Sequence, residues 1–259
     1  SSDKYSLIAE GIYEKGFTYG SLKFGAKHIQ SFTKQEVQQN GVFKSDLNQM
    51  ETSVFSEWNH SKDKFSCSLG LKANRVHFSN ISINKSYYNF LPKAMLGYRL
   101  NENSFIRYDV EMSQTNPTLV ELTDTEIRLD PYLAERGNLL LKPYSNLNNN
   151  LFYEHKKGLF TFNANLRHHY KHNPIMESVK EQGNIFLIIP ENMKSWNKYN
   201  AEMNLKVGMI KNILQFSLTG GYNHFNSQGN NYSHEYSNFY YSANVLAMYK
   251  KWMFIVHTF

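Results

Sequence analysis

Apolar and polar residues alternate with a period of two along most of this chain, the pattern of strands whose two faces meet different surroundings. Phe65, Cys67, Leu69, Leu71 and Ala73 fall on one face, with Ser66, Ser68, Gly70, Lys72 and Asn74 on the other. Ile106, Tyr108, Val110 and Met112 oppose Arg107, Asp109, Glu111 and Ser113 in the same way. The alternation sharpens later: Phe160 to Leu166 against Thr161 to Arg167, Tyr199 to Met209 against Lys198 to Lys206, and Leu214 to Tyr222 against Gln215 to Asn223. Near the start it runs from Tyr5 to Tyr13, turns at Glu14-Lys15-Gly16 and resumes from Leu22 to Ala26. A polar stretch from Thr33 to Asn40 and a poorer strand from Met50 to Trp58 follow, and the last strands run from Phe239 to Tyr249 and from Trp252. About twelve antiparallel strands are expected, each pairing with its sequence neighbours, with more than half of the residues in strands and no helix beyond about two turns.

Connections of two lengths separate these strands. Short turns fall near residues 15, 62, 102, 157, 211 and 251, and longer links near 33–46, 79–87, 114–143, 180–184 and 226–237. Full charges occupy one face in mid-strand, among them Arg107, Asp109, Glu111, Arg167, Lys198 and Glu202, while the other face carries none there. Short turns at one end and long loops at the other mark an up-and-down outer-membrane β-barrel. A soluble β-sandwich can also show charged and apolar faces, so the alternating link lengths carry the distinction. Tyr13, Trp58, Tyr98, Tyr249 and Trp252 cluster beside the short turns, where an aromatic girdle belongs.

The longest unbroken apolar run, Ile185 to Ile189, is far short of the ~20 residues a membrane helix needs. That excludes helical spans only, since a barrel strand hides its apolar residues at every second position. The opening SSDKYSL has no apolar core, so no signal peptide is expected there. A dozen strands in an open sheet would leave two bare edges in the bilayer. The chain is therefore expected to be part of a larger barrel, the alternative being closure at twelve strands. Lipid contact is expected at Phe162, Leu166, Met203, Leu205, Leu214 and Phe216. The lumen is expected to receive Arg107, Asp109, Glu111, Arg167, His169, Lys198 and Glu202, with Asn163, Asn200 and Lys206.

From Thr115 to Leu151 the periodicity stops. Pro117, Pro131 and Pro143 with Gly137-Asn138 exclude the middle of a regular ladder. Loops this long are usually functional. Residues 114–143 are read as one ordered extracellular loop, with Leu119, Leu122, Leu129 and Leu133 as its frame. Glu121, Asp124, Arg128, Asp130 and Arg136 are its candidate substrate contacts, beside Glu126 and Glu135. The bland alternative is that the frame only packs the loop on the barrel rim.

Composition removes several function classes. The net charge of +6 is spread over strands and turns without a basic cluster, so no nucleic-acid partner is expected. One cysteine, Cys67, excludes an internal disulfide framework and CxxC metal chemistry. His168 and His169 point to opposite faces of a strand, a poor geometry for a shared metal with His172. His169 is read as lumenal and His168 as part of an outer aromatic level. Asp109 and Glu111 beside Arg107 read as a salt-bridge ladder rather than paired catalytic carboxylates. Gly-x-Ser-x-Gly, phosphate-loop and His-Glu-x-x-His motifs are absent, so neither an enzyme nor a cofactor site is expected.

The central segment has further character: Thr-Asn-Pro-Thr at 115–118, the apolar 119–122 run, Asp130-Pro131-Tyr132, then Arg-Gly-Asn-Leu-Leu-Leu-Lys-Pro from Arg136 to Pro143. It resembles the barrel of TonB-dependent outer-membrane transporters, with Leu139 where proline is usual. Phe90-Leu91-Pro92, Tyr98-Arg99-Leu100 and Asn173-Pro174-Ile175 are similar to the same family. The resemblance implies a 22-stranded barrel in the bacterial outer membrane, closed by an amino-terminal plug. It implies import of a scarce nutrient of the siderophore, cobalamin, glycan or peptide class. Its implied partners are outer-membrane lipid and lipopolysaccharide, the TonB complex acting through a plug that is not recognisable in this chain, and a surface lipoprotein. A passive porin, or an adhesin barrel presenting its loops, is the alternative function.

Overall fold

The computed structural model describes residues 2–38, 42–79, 84–118, 120–122, 126–210, 213–249 and 252–258. Its strands are β1 (Ser2–Phe17), β2 (Gly20–Gln38), β3 (Val42–Lys62), β4 (Phe65–Ser79), β5 (Asn84–Asn101), β6 (Ser104–Thr115), β7 (Glu126–Arg128), β8 (Leu133–Arg136), β9 (Tyr144–Lys157), β10 (Phe160–His172), β11 (Ile175–Gln182), β12 (Ile185–Asn192), β13 (Ser195–Ile210), β14 (Leu214–Gln228), β15 (Ser233–Tyr249) and β16 (Trp252–Thr258). Twelve of them form one antiparallel sheet in the order β1-β2-β3-β4-β5-β6-β9-β10-β13-β14-β15-β16. No helix occurs among the described residues.

Register decides which side chains share a face, because direct cross-strand partners point the same way. One such row runs Tyr108, Leu151, Leu166, Ala201, Tyr222 and Phe239. The next row, on the opposite face, runs Asp109, Asn150, Arg167, Asn200, Asn223 and Asn238. The alternation of each separate strand thus adds up to one continuous apolar face and one continuous polar face.

Exposure is inverted relative to a soluble sheet. On the apolar face Met203 is 62% exposed and Leu166 54%, whereas Asn200 on the polar face is 8% exposed. An apolar face open to its surroundings and a shielded polar face is the arrangement of a wall with lipid outside. Tyr13, Trp58, Tyr98 and Trp252 are exposed on the apolar face beside the short turns; the side chain of Tyr249 lies outside the described residues. Higher on the same face, His168 stacks on Tyr199 with ring centroids 4.4 Å apart, and Tyr199 lies 6.0 Å from His224. The belt between the two aromatic levels spans about eight residues of tilted strand, roughly 20–25 Å high. Strands of 19 and 21 residues, β2 and β3, run well beyond the 9–11 that cross a bilayer.

The ladders are also staggered. One polar row passes from Glu14 through Lys23, Glu57, Gly70, Lys93, Glu111, Asn148 and His169 to Lys198. Glu14 sits near the Phe17 end of β1, beside a short turn, while Lys198 sits near the Ser195 end of β13, beside a long link. Close packing on this face leaves no room for side chains at some points: a Cβ on Gly221 would meet the Tyr240 ring 2.3 Å away.

Four expectations need correction. The first hairpin does not turn at Glu14-Lys15-Gly16, because those residues pair with Lys23, Leu22 and Ser21 and the turn is at 18–19. Most of the expected link at 33–46 is ladder, Thr33 pairing with Leu47 and Gln38 with Val42, since polar strand ends beyond a membrane need no apolar face. Tyr144 to Leu151 is regular strand within β9, and the loop before it holds the short strands β7 and β8. The expected turn at 181–184 is the tip of a hairpin, β11 with β12, standing in the link between β10 and β13. Gly183 there has φ +64° and Asn173, where the chain leaves β10, has φ +55°, a conformation that glycine and asparagine adopt most readily.

The two faces yield a first expected outcome. In full-length protein refolded into lipid vesicles, Leu205→Arg loses about 2–4 kcal/mol of folding free energy, and Lys206→Gln loses under about 1 kcal/mol. Equal losses would be incompatible with lipid on the apolar face.

Candidate functional site

Beyond the long-link end, two loop segments join into a second sheet. β12 pairs in parallel with β8 through Phe186–Leu133, Leu187–Ala134 and Ile188–Glu135, and β7 completes the order β11-β12-β8-β7. This parallel ladder departs from the all-antiparallel expectation. It arises because strands in two separate links are brought side by side rather than joined by a turn.

Small apolar residues lock the unit. Ala134, Leu187 and Ile189 form one buried cluster, with Ile185 against it; Leu122 and Leu141 form another, with Ile175 against it. Asn192 ties the segments by polar contacts. Its Oδ1 accepts from the Lys142 amide at 2.9 Å, and its Nδ2 donates to the carbonyls of Lys142 and Asn173, both at 2.9 Å. Asn138 Nδ2 donates to the Pro190 carbonyl at 3.0 Å, and Lys85 Nζ donates to the Leu139 carbonyl. Residues 126–143 and 175–192 are therefore one folded unit.

The loop candidates divide on this frame. Glu121 is occupied locally: Oε2 accepts from the Thr118 amide at 2.6 Å and the Thr118 hydroxyl at 2.7 Å, while the Glu121 amide donates back to that hydroxyl at 3.3 Å. This is the reciprocal capping of a short turn by Thr-x-x-Glu. Asp130 Oδ1 accepts from the Tyr132 amide at 2.7 Å, an Asx turn. Arg128 lies 3.7 Å from Glu126 and donates to the Pro131 carbonyl at 3.4 Å. Arg136 ends β8 opposite Glu126, and Asp124 lies outside the described residues. Glu121 and Asp130 thus shape the loop, and Arg128 is half-exposed at its edge.

All seven strand candidates fall on the polar face. Arg107 Nε and Asp109 Oδ2 are 2.9 Å apart, and Asn150 donates to the same oxygen at 3.3 Å. Arg167 lies 3.9 Å from Glu202 and donates to Asn200 Oδ1 at 3.5 Å. Tyr240 donates to Glu202 at 2.7 Å and accepts from Asn200 at 3.1 Å. Glu111 is exposed in the row between Lys93 and Asn148. His169 Nδ1 donates to Asn148 Oδ1 at 2.7 Å, and Lys198 lies over the Phe225 ring at 5.1 Å. Asp109 is held by Arg107 and Asn150, a salt-bridge contact of the kind read from the sequence in preference to paired catalytic carboxylates.

Sequence reasoning passed over the aromatic company of these charges. Tyr144, Trp196 and Phe225 sit on the polar face beside Lys171 and Lys198 near the strand ends that carry the loops. A tryptophan directly opposite a lysine, Trp196 with Lys171, was the readable signal.

Two unlike faces, short turns at one end and a folded loop unit at the other define the wall of a membrane-spanning β-barrel. The chain belongs to the outer membrane protein beta-barrel family, whose model matches residues 10–256. No curated protein matches the sequence. Among solved structures it is similar to a point mutant of the ferric enterobactin receptor PfeA from Pseudomonas aeruginosa in complex with enterobactin, at 14% identity and a TM-score of 0.65, covering 96% of this chain and 47% of that one. It is similar to the FrpB iron transporter from Neisseria meningitidis at 12% identity and a TM-score of 0.65, covering 96% and 41%. The copper transporter OprC matches at 8% identity and a TM-score of 0.65, covering 96% and 49%. The chain spans about half the length of these structures. The barrel resemblance of the central segment and the fold of these neighbours agree, and the family places the protein in the outer membrane.

Asn192→Ala tests the loop unit. Each lost hydrogen bond is worth about 1 kcal/mol, so amide exchange should quicken together in 126–143 and 175–192 while β9, β10 and β13 keep their protection. Acceleration confined to one segment would show that the two are separate.

Proposed function

We propose that this chain is the barrel portion of a TonB-dependent transporter that carries a scarce nutrient into the cell through a plugged barrel of 22 strands. Its polar face is the lumen wall, and the seven charged or titratable residues on it line the path. The unit built from 126–143 and 175–192 stands on the extracellular side, where ligand arrives. One observation carries the reading: a face that carries charges from β1 to β13 and polar, hydrogen-bonding residues on into β15, backed by an open apolar face. A soluble receptor has no use for the second, and an enzyme would need convergent reactive groups that this face does not present.

The neighbours support the class of cargo. Their names speak of ferric enterobactin, iron and copper, so a metal ion or its chelate, as substrate, is the reading favoured over cobalamin, glycan or peptide. The TonB complex, acting through a plug, and lipopolysaccharide around the apolar face are the partners this reading requires. The folded loop unit supports gating or capture, because a preformed surface lowers the ordering cost of binding.

Deleting 123–136 in the full-length protein tests the reading. Uptake should fall to background while the barrel assembles and keeps its heat-modifiable mobility on gels. Unchanged uptake kinetics would remove the loop from the transport path.

A further inference from the structure

Many cations along the polar face are paired with carboxylates. Lys23 lies 3.7 Å from Glu14, Lys27 3.6 Å from Glu10, Lys72 3.4 Å from Glu51 and Arg107 2.9 Å from Asp109. Lys93 pairs with Glu57 and Arg167 with Glu202. Lys171 and Lys198, near the loop end, lie instead over aromatic rings. Lys171 Nζ lies 5.1 Å from the centre of Trp196 and 5.9 Å from that of Tyr144, and Lys198 Nζ lies 5.1 Å from that of Phe225.

The cluster is tight. His169 is the direct cross-strand partner of Lys198, and Lys171 the partner of Trp196, which puts the two ammonium-bearing positions on a diagonal about 7–8 Å apart. Trp196 and Phe225 have ring centroids 6.2 Å apart. Among the described residues neither lysine has an ion pair; Glu111 is two strands from His169 along the row, and Glu202 is held by Tyr240 and Arg167. A cavity of about 450 Å³ opens here, lined by His169, Lys171, Trp196 and Lys198 among others. Small-ligand sites have this size.

A ring face attracts a lysine only weakly and supplies no neutralising charge. Two ammonium groups on diagonal positions with no ion pair at either repel each other, and a bound anion relieves that cost. The flat walls select for a planar partner that can stack. Both loop segments leave the wall at this level, from Asn173 and from before Tyr144.

We propose that Lys171, Lys198, His169 and Trp196, with Tyr144 and Phe225 against the two lysines, form a binding site for an anionic ligand bearing an aromatic ring. The proposal rests on the polar face being the lumen of a transporter, and it narrows the cargo to the anionic, aromatic class.

Its test is equilibrium binding to purified full-length protein in detergent, read by tryptophan fluorescence. Benzene-1,3,5-tricarboxylate serves as the anionic aromatic probe, citrate as the anionic non-aromatic one and benzylamine as the cationic one. The tricarboxylate should bind saturably and more tightly than citrate, with benzylamine not binding, and added salt should weaken it. The double variant Lys171→Gln, Lys198→Gln should lose about tenfold in affinity, as two partly exposed charge contacts would. Lys171→Arg with Lys198→Arg, which keeps both charges, should bind as the parent does, and Lys206→Gln should be neutral. Unchanged affinity in the double glutamine variant, equal binding of benzylamine, or no saturable binding of the tricarboxylate up to about 10 mM, a concentration at which even a weak site fills, would overturn the site. Binding intact with uptake independent of TonB would overturn the transport reading and leave the site standing.

Discussion

No water reaches the hydrocarbon core of a bilayer, so every backbone amide and carbonyl there must find its partner within the protein. That constraint fixes the ladder of this molecule, and the ladder fixes everything else. Once Leu166 is opposite Leu151 and Ala201, Arg167 has no choice but to stand opposite Asn150 and Asn200. A slip by one residue would turn arginine into lipid and leucine into the lumen together. The polar face therefore inherits its hydrogen-bond network from the backbone, and the apolar face needs no core of its own.

That coupling explains why so much of the wall was legible in the sequence. Phe162, Leu166, Met203 and Leu205 advertise their face through period two alone, as do Asn163, Arg167, Glu202 and Lys206. Legibility failed where lipid no longer imposes a pattern. The stretch from Thr33 looks like a loop because it is mostly polar, yet Thr33 to Gln38 continue the ladder to β3. The Glu14-Lys15-Gly16 step reads as a turn on composition, but the pairing of Phe17 with Gly20 moves the turn outward.

The loop unit was the least legible part, for a different reason. β8 pairs with β12 although about fifty residues separate them, and no local pattern announces a partner that distant. Glu121 and Asp130 looked like ligand contacts because they are charged residues in a long loop. Their carboxylates instead complete the hydrogen bonds of two turns. Lys198 lies on the polar face, and the ring against it, Phe225 on the neighbouring strand β14, became visible only in the pairing of the two strands.

The stagger of the ladders has a geometric consequence for anything that passes. Glu14, Lys23, Glu57, Lys93, Glu111, His169 and Lys198 look like a level ring when traced across the strands, yet the row starts at the short-turn rim and ends at the long-link rim. It is a spiral stair, not a hoop, rising about 30 Å over nine strands. Its upper end carries Lys198 beside His169 and no carboxylate, and below it basic and acidic steps alternate. A charged traveller descending the wall would be handed sideways from strand to strand as it sinks, so that every step down is also a turn about the axis of the barrel.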